Sequence, residues 1–153
     1  MMDKTAKEIM TTDVIVAKQD DSIADVANML IAEKIGGLPV VDSENRVVGI
    51  ISETDILKKE KYIEAPLYIN LLQGLIFLDD LKKVEKDIKQ VAAYKVGELM
   101  SKDIIKAHAD DKFDDVANVM IKKSINRVPV VDDDNKLKGI ICRYDIIKAL
   151  YNE

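Results

Sequence analysis

The sequence predicts an α+β protein made of two β-α-β-β-α repeats related by a pseudo-twofold axis. The first observation behind this is internal duplication at an offset of 90 positions. Gly49-Ile50-Ile51-Ser52-Glu53-Thr54-Asp55-Ile56 falls on Gly139-Ile140-Ile141-Cys142-Arg143-Tyr144-Asp145-Ile146, and about 23 of 50 pairs between Ile9 and Lys58 are identical without a gap. The second is patterning: short β-branched runs alternate with segments whose apolar residues recur every three or four positions. The third is bulk composition: 153 residues, 48% apolar and 33% charged, suit one compact domain or two halves sharing a core.

The elements follow in order. Val14-Ile15-Val16-Ala17 is β-branched enough for a first strand. Ile23, Val26, Ala27, Leu30 and Ile31 then mark one helix face, with Ser22 and Asp25 spaced as a capping pair. Phe113, Val116, Ala117, Met120 and Ile121 repeat that face, but Lys112 replaces the serine, so Asp110 or Asp111 is expected to cap. Strands over Leu38–Val41 and Val47–Ile51 enclose Asp42-Ser43-Glu44-Asn45-Arg46, and strands over Val128–Val131 and Leu137–Ile141 enclose Asp132-Asp133-Asp134-Asn135-Lys136. Asn45 and Asn135 suit the left-handed position of a hairpin turn. The Asp132–Asp134 cluster lacks the ligand spacing and closing glutamate of a calcium loop, so a turn is its expected role.

This divides the chain into repeat one over 1–60, repeat two over 96–153, and an unduplicated insertion over 61–95. The insertion reads as an apolar connector followed by a helix from Asp79 to Tyr94. Its stripe of Leu81, Val84, Ile88, Val91 and Ala92 suits linking the halves or docking on a second protomer. The connector is broken by Glu64, Pro66, Asn70, Gln73 and Gly74 and is too short to span a bilayer.

Composition also excludes. A net charge of −5 with scattered cations argues against a nucleic-acid or anionic-membrane surface. The one cysteine, Cys142, precludes an internal disulfide, and no apolar signal segment opens the sequence; a cytoplasmic setting is expected. The single histidine, His108, and the lack of a P-loop, a dinucleotide-binding glycine motif or metal-spaced His and Cys argue against an enzyme.

Taken together, Met10-Thr11 and Met100-Ser101, the two hydrophobic-Pro-Val-Val-Asp strands and the two Gly-h-h-[Ser/Cys]-x-x-Asp-h endings (h, hydrophobic) resemble a tandem pair of CBS domains, the module named for cystathionine β-synthase. The resemblance covers nearly all of the chain except the insertion. It implies repeats packed through their sheets with helices outside and two crevices between them. It further implies a non-catalytic sensor for an adenosine-containing ligand (AMP, ADP, ATP or S-adenosylmethionine) that needs no cofactor, forms a homodimer and acts through a separate effector protein. The rival expectation is a dimerising scaffold with empty crevices.

The same resemblance designates site residues. Asp55 and Asp145 match its ribose-binding carboxylate, although that position equally suits helix capping. Ser52 matches its hydroxyl for ribose or phosphate; the counterpart Cys142 departs from it, a thiol being a weak donor and acceptor. Asn126 and Arg127 match the strand opening where a cation can fork onto phosphate, whereas repeat one has Gly36 and Gly37 there, offering space and amides. Leu38 with Pro39 and Val128 with Pro129 would flank the base, or simply form core strands. Ile15 with Val16 and Ile105 with Lys106 would lie along it through their backbone, with Lys106 a second phosphate candidate. The threonine common in the family near these last positions is missing from both copies.

Overall fold

The computed structural model describes residues 2–59 and 94–152. The expected connector and linker helix over 61–95 fall outside these apart from Tyr94 and Lys95. In chain order the elements are α1 (Ala6–Ile9), α2 (Ile23–Glu33), β1 (Gly37–Val41), β2 (Val47–Ser52) and α3 (Glu53–Lys59). The second half holds α4 (Val96–Leu99), β3 (Ala107–His108), α5 (Phe113–Lys123), β4 (Arg127–Val131), β5 (Leu137–Cys142) and α6 (Arg143–Tyr151).

Strands β1 and β2 pair antiparallel, with Gly37 opposite Ser52; β4 and β5 repeat the arrangement, with Arg127 opposite Cys142. Both ladders shift register at the same place, between Val40 and Val41 and between Val130 and Val131. In repeat two, β3 adds in parallel to β4. In repeat one the expected strand over Val14–Ala17 shrinks to a single parallel bridge, Ala17 with Val40, at the equivalent place. A run this short gains its order from one pair of bonds, Ala17 N–H to the Pro39 carbonyl and Val41 N–H to the Ala17 carbonyl, and its β-branched side chains do not extend it.

The helices start and stop as local chemistry dictates. Ser22 accepts from the Asp25 N–H at 3.1 Å, the capping pair read from sequence. At α5 the expected aspartate cap is not formed: Lys112 holds the cap position with no side-chain bond, and Asp111 instead accepts from the His108 N–H at 2.8 Å, closing the turn before the helix. Both α2 and α5 end on a left-handed residue, Lys34 and Ser124. Ile23, Val26 and Leu30 are buried as the periodicity requires, but Ile31 is 75% exposed and its counterpart Ile121 72%. The apolar stripe is wider than the core it covers.

The short helices α1 and α4 were not anticipated. Their sequence signals are Thr5-x-x-Glu8 and Lys95-x-x-Glu98, in which the glutamate reaches back to the backbone N–H three residues earlier, at 2.7 and 2.8 Å. Each packs on the opposite repeat. Ala6 of α1 is buried in a core with Phe113, Met120, Val128 and Ile141, whereas Val96 of α4 joins Ile23, Leu30, Leu38 and Ile51. Thr11 pairs with Ile140 and Ser101 with Ile50, so each repeat's leading segment edges the other repeat's sheet. Gly49 and Gly139 permit this approach, because a Cβ at either would stand within 2.9 Å of a backbone carbonyl, that of Ser101 or of Thr11. A third cluster, Val41, Val47 and Val131 with Val16, Ile104 and Leu137, fills the seam between the sheets. The two halves are thus joined by exchange as well as by packing.

Candidate functional site

Exchange creates two crevices at pseudo-equivalent places. The first is a cavity of about 330 Å³ between Thr11, Ile15, Gly37 and Pro39 of repeat one and Ile140 and Asp145 of repeat two. The second, about 650 Å³, lies between Ser101, Ile105 and Asn126 of repeat two and Ile50, Ser52 and Asp55 of repeat one. Each draws its carboxylate from one repeat and its strand opening from the other, because the exchanged Thr11 and Ser101 segments carry one repeat's groove onto the other's closing helix.

The two carboxylates sit at the third position of α3 and α6. Asp55 Oδ2 accepts from the Ser52 N–H at 3.0 Å and its hydroxyl at 3.1 Å; Asp145 Oδ2 accepts from the Cys142 N–H at 2.8 Å and its thiol at 3.1 Å. This is reciprocal capping of a helix start, so the capping reading of these aspartates holds. It engages one oxygen of each. The other oxygen of Asp55 receives the Ser101 hydroxyl of the opposite repeat at 3.1 Å. That bond orients the carboxylate across the crevice. Burial, followed by the bond to Asp145, raises the Cys142 thiol pKa above its ordinary value, so this side chain is a neutral donor at physiological pH.

Arg127 belongs to both crevices. Its guanidinium covers Gly36 and Gly37, and a Cβ at Gly37 would meet its Cζ at 3.0 Å. The diglycine of repeat one is therefore the seat of the arginine of repeat two. Partial burial lowers its pKa, while Glu53, Cys142 and Asp55 act in the opposite direction. A guanidinium so placed stays a cation throughout the physiological range.

Of the remaining residues read from sequence, Ile15, Pro39 and Gly37 line the first crevice and Ile105 and Asn126 the second. Leu38 and Val128 are 1% exposed and belong to the two cores, and Pro129 is buried beside Val128. Val16 lies in the intersheet cluster. Lys106 turns toward the hairpin, donating to Asn135 Oδ1 at 2.8 Å, and with Val128 lines a separate cavity of about 90 Å³. Sequence reasoning missed Thr11 and Ser101, which the Met-Thr/Ser motif had marked only as a boundary, and Lys58 and Lys123, which line the second crevice. Among the described residues, no group of three or more His, Cys, Asp or Glu side chains is placed to hold a metal, and no helix is long and apolar enough to cross a membrane.

Known proteins share this architecture. The chain is 35% identical over 153 residues to MJ1426 of Methanocaldococcus jannaschii, covering 94% of this chain and 89% of that one. The crystal structure of CBSX2, a protein of Arabidopsis thaliana, in complex with AMP superposes with a TM-score of 0.74 at 28% identity, covering 96% of each chain. The CBS domain pair of MJ0100, in complex with 5′-methylthioadenosine and S-adenosyl-L-methionine, gives a TM-score of 0.70 at 31% identity, covering 96% of this chain and 95% of that one. The family model of the CBS domain matches twice, over residues 6–62 and 96–152, one match for each exchanged half. The chain belongs to the CBS domain family.

Proposed function

We propose that this protein is a regulatory module that binds an adenosine-containing ligand in the crevices between its repeats and catalyses no reaction on it. The observation that carries the reading is the pair of carboxylates. Asp55 and Asp145 each face, across a crevice, the strand opening of the opposite repeat. A carboxylate held by its own helix start and lining a crevice that also has apolar walls is suited to the two hydroxyls of a ribose. Pro39, Ile15 and Ile140 offer the first crevice an apolar wall for a base, and Ile105 and Ile50 do so in the second. AMP in CBSX2 and adenosyl ligands in MJ0100, both similar structures, support the same ligand class.

A ligand touching both repeats favours the arrangement in which it binds more tightly, by no more than its differential affinity. The signal would pass to a separate effector protein. Exposed Ile31 and Ile121, with Leu57 and Ile147 on α3 and α6, give both halves matching apolar helix faces, which supports a homodimer. A reducing compartment such as the cytoplasm suits the free thiol of Cys142.

The test is a thermal-shift panel with AMP, ADP, ATP, S-adenosylmethionine and GMP on ligand-free protein. At one hundred times Kd, a bound ligand stabilises by about 2.7 kcal/mol, a rise of roughly 5–10 °C for a chain of this size. The expected result is a rise with an adenine compound and none with GMP. A flat panel would instead favour the dimerising scaffold.

A further inference from the structure

The pseudo-equivalent crevices differ at the positions that matter for charge. In the first, the charged groups are Asp13 and Asp145 against Lys34 and the shared Arg127, and they balance. In the second, Asp55 and Asp103 stand against Lys58, Lys123 and Arg127, leaving one cation in excess. The counterpart of Lys123 in repeat one is Glu33, so the same helix end is cationic beside one crevice and anionic in the other repeat. Hydroxyls divide the same way. Ser52, Thr54, Ser101 and Ser124 line the second crevice, whereas the first has Thr11 and, in place of a serine, the neutral thiol of Cys142. The first is also the smaller cavity, with Val14, Ile15, Ile35, Pro39 and Ile140 along its walls.

A phosphate needs cations and strong donors to replace its water; a thioether or unsubstituted 5′ carbon needs neither and gains from apolar contact. We propose that the two crevices take different ligand classes: a phosphate-bearing adenine nucleotide in the second, gripped by Lys58, Lys123 and Arg127, and an adenosine derivative without phosphate in the first. This rests on the adenosine-binding reading above and assigns a chemical class to each crevice. Among the described residues, Arg127 is the one cation that lines both crevices; Lys58 and Lys123 decide the choice. The module then reports on two kinds of adenosine compound at once.

The experiment is calorimetric titration of the full chain with AMP and with 5′-methylthioadenosine, each alone and each in the presence of the other at saturation. The expected result is that each binds without displacing the other. In the variant Lys58→Glu/Lys123→Glu, whose exposed side chains leave the fold intact, AMP affinity should fall by about tenfold or more while methylthioadenosine affinity stays within about threefold. Asp55→Ala should abolish AMP binding alone, and Asp145→Ala methylthioadenosine binding alone. Mutual displacement, or equal loss of both compounds in the lysine variant, overturns the division while leaving the adenosine-binding reading standing. Binding of neither compound to the unaltered protein overturns both.

Discussion

Arg127 lies across Gly37, the residue that holds its own place in the other repeat. Two halves that began as copies have diverged at this point into a side chain and the space that receives it. A Cβ at Gly36 would overlap the guanidinium, and one at Gly37 would press on it at 3.0 Å. Gly36→Ala is therefore expected to destabilise by about 1–2 kcal/mol through overpacking. Adding Arg127→Ala should remove most of that penalty, because the clash has lost its partner. A double-mutant cycle by urea denaturation reads the coupling directly. Additive losses would mean that the glycine serves only its own backbone.

Exchange of the leading segments depends on an equally tight contact. At Gly139, a Cβ would stand 2.9 Å from the Thr11 carbonyl oxygen, which cannot swing aside as a side-chain end can. Thr11 and Ile140 are also bonded through both N–H groups, each at 2.9 Å to the other's carbonyl. Gly139→Ala should cost roughly 2–3 kcal/mol and deprotect the Thr11 and Ile140 amides to hydrogen exchange. Loss of stability with those amides still protected would place the strain elsewhere.

The hairpin tips bind one another as well as turning the chain. Asn45 and Asn135 are left-handed, with φ of 63° and 64°, and Asn135 donates its side-chain amide to the Val47 carbonyl of the opposite repeat at 2.9 Å. Asn135→Gly keeps the backbone conformation and removes that bond together with the exposed one from Lys106, for an expected loss of about 1 kcal/mol. Asn135→Ala should lose about 1 kcal/mol more, the cost of a Cβ in left-handed backbone. Equal losses in the two variants, measured by chemical denaturation, would show that backbone conformation carries no part of the effect.

These contacts mark what was legible in the sequence. Duplication exposed both halves, the Ser22 cap and the two asparagine turns, because each rests on residues close in the chain. Asp55 and Asp145 could be found for the same reason, each sitting three positions after the residue it caps. Thr11, Ser101 and the seat of Arg127 could not. Their roles depend on segments crossing between repeats, and a sequence repeat gives the order of elements without saying which copy's core a segment joins. Lys106 illustrates the converse: a place near the base was expected of it, but it lines neither crevice, and its ammonium donates to the side-chain oxygen of Asn135 at the tip of its own repeat's hairpin.

The hairpins also set an acid limit. Asp42 accepts from the Arg46 and Glu44 N–H groups, and Asp132 from the Lys136 and Asp134 N–H groups, all at 2.9–3.0 Å. These backbone bonds, that of Arg46 or Lys136 first, hold both carboxyls below the ordinary aspartate value. A folded-state pKa below the unfolded one gives stability that is present above the unfolded value and is lost as pH falls through the folded one. The loss should therefore lie below about pH 4. Acid titration followed by circular dichroism should show a shallower descent for Asp42→Asn/Asp132→Asn than for the unaltered chain; identical slopes would remove the hairpins from acid unfolding.

Cys142 offers the sharpest single-atom comparison, since Ser52 performs the same task in the other repeat. Both side chains donate to their aspartate at 3.1 Å, but a hydroxyl is the stronger donor and a thiol at this place is kept protonated by burial. Alkylation by iodoacetamide at pH 8 should accordingly be slower in the folded protein than in urea, where the thiol regains its ordinary pKa. Cys142→Ser should stabilise α6 by about 0.5–1 kcal/mol. It should also make the first crevice more like the second, improving AMP binding there without the lysines that would complete the grip. Calorimetry with AMP on Asp55→Ala/Cys142→Ser, in which only the first crevice can answer, measures that gain. If the serine variant binds AMP there no better than the cysteine parent, the thiol takes no part in selecting the ligand, and the separation rests on the charges, the other hydroxyls and the size of the crevices.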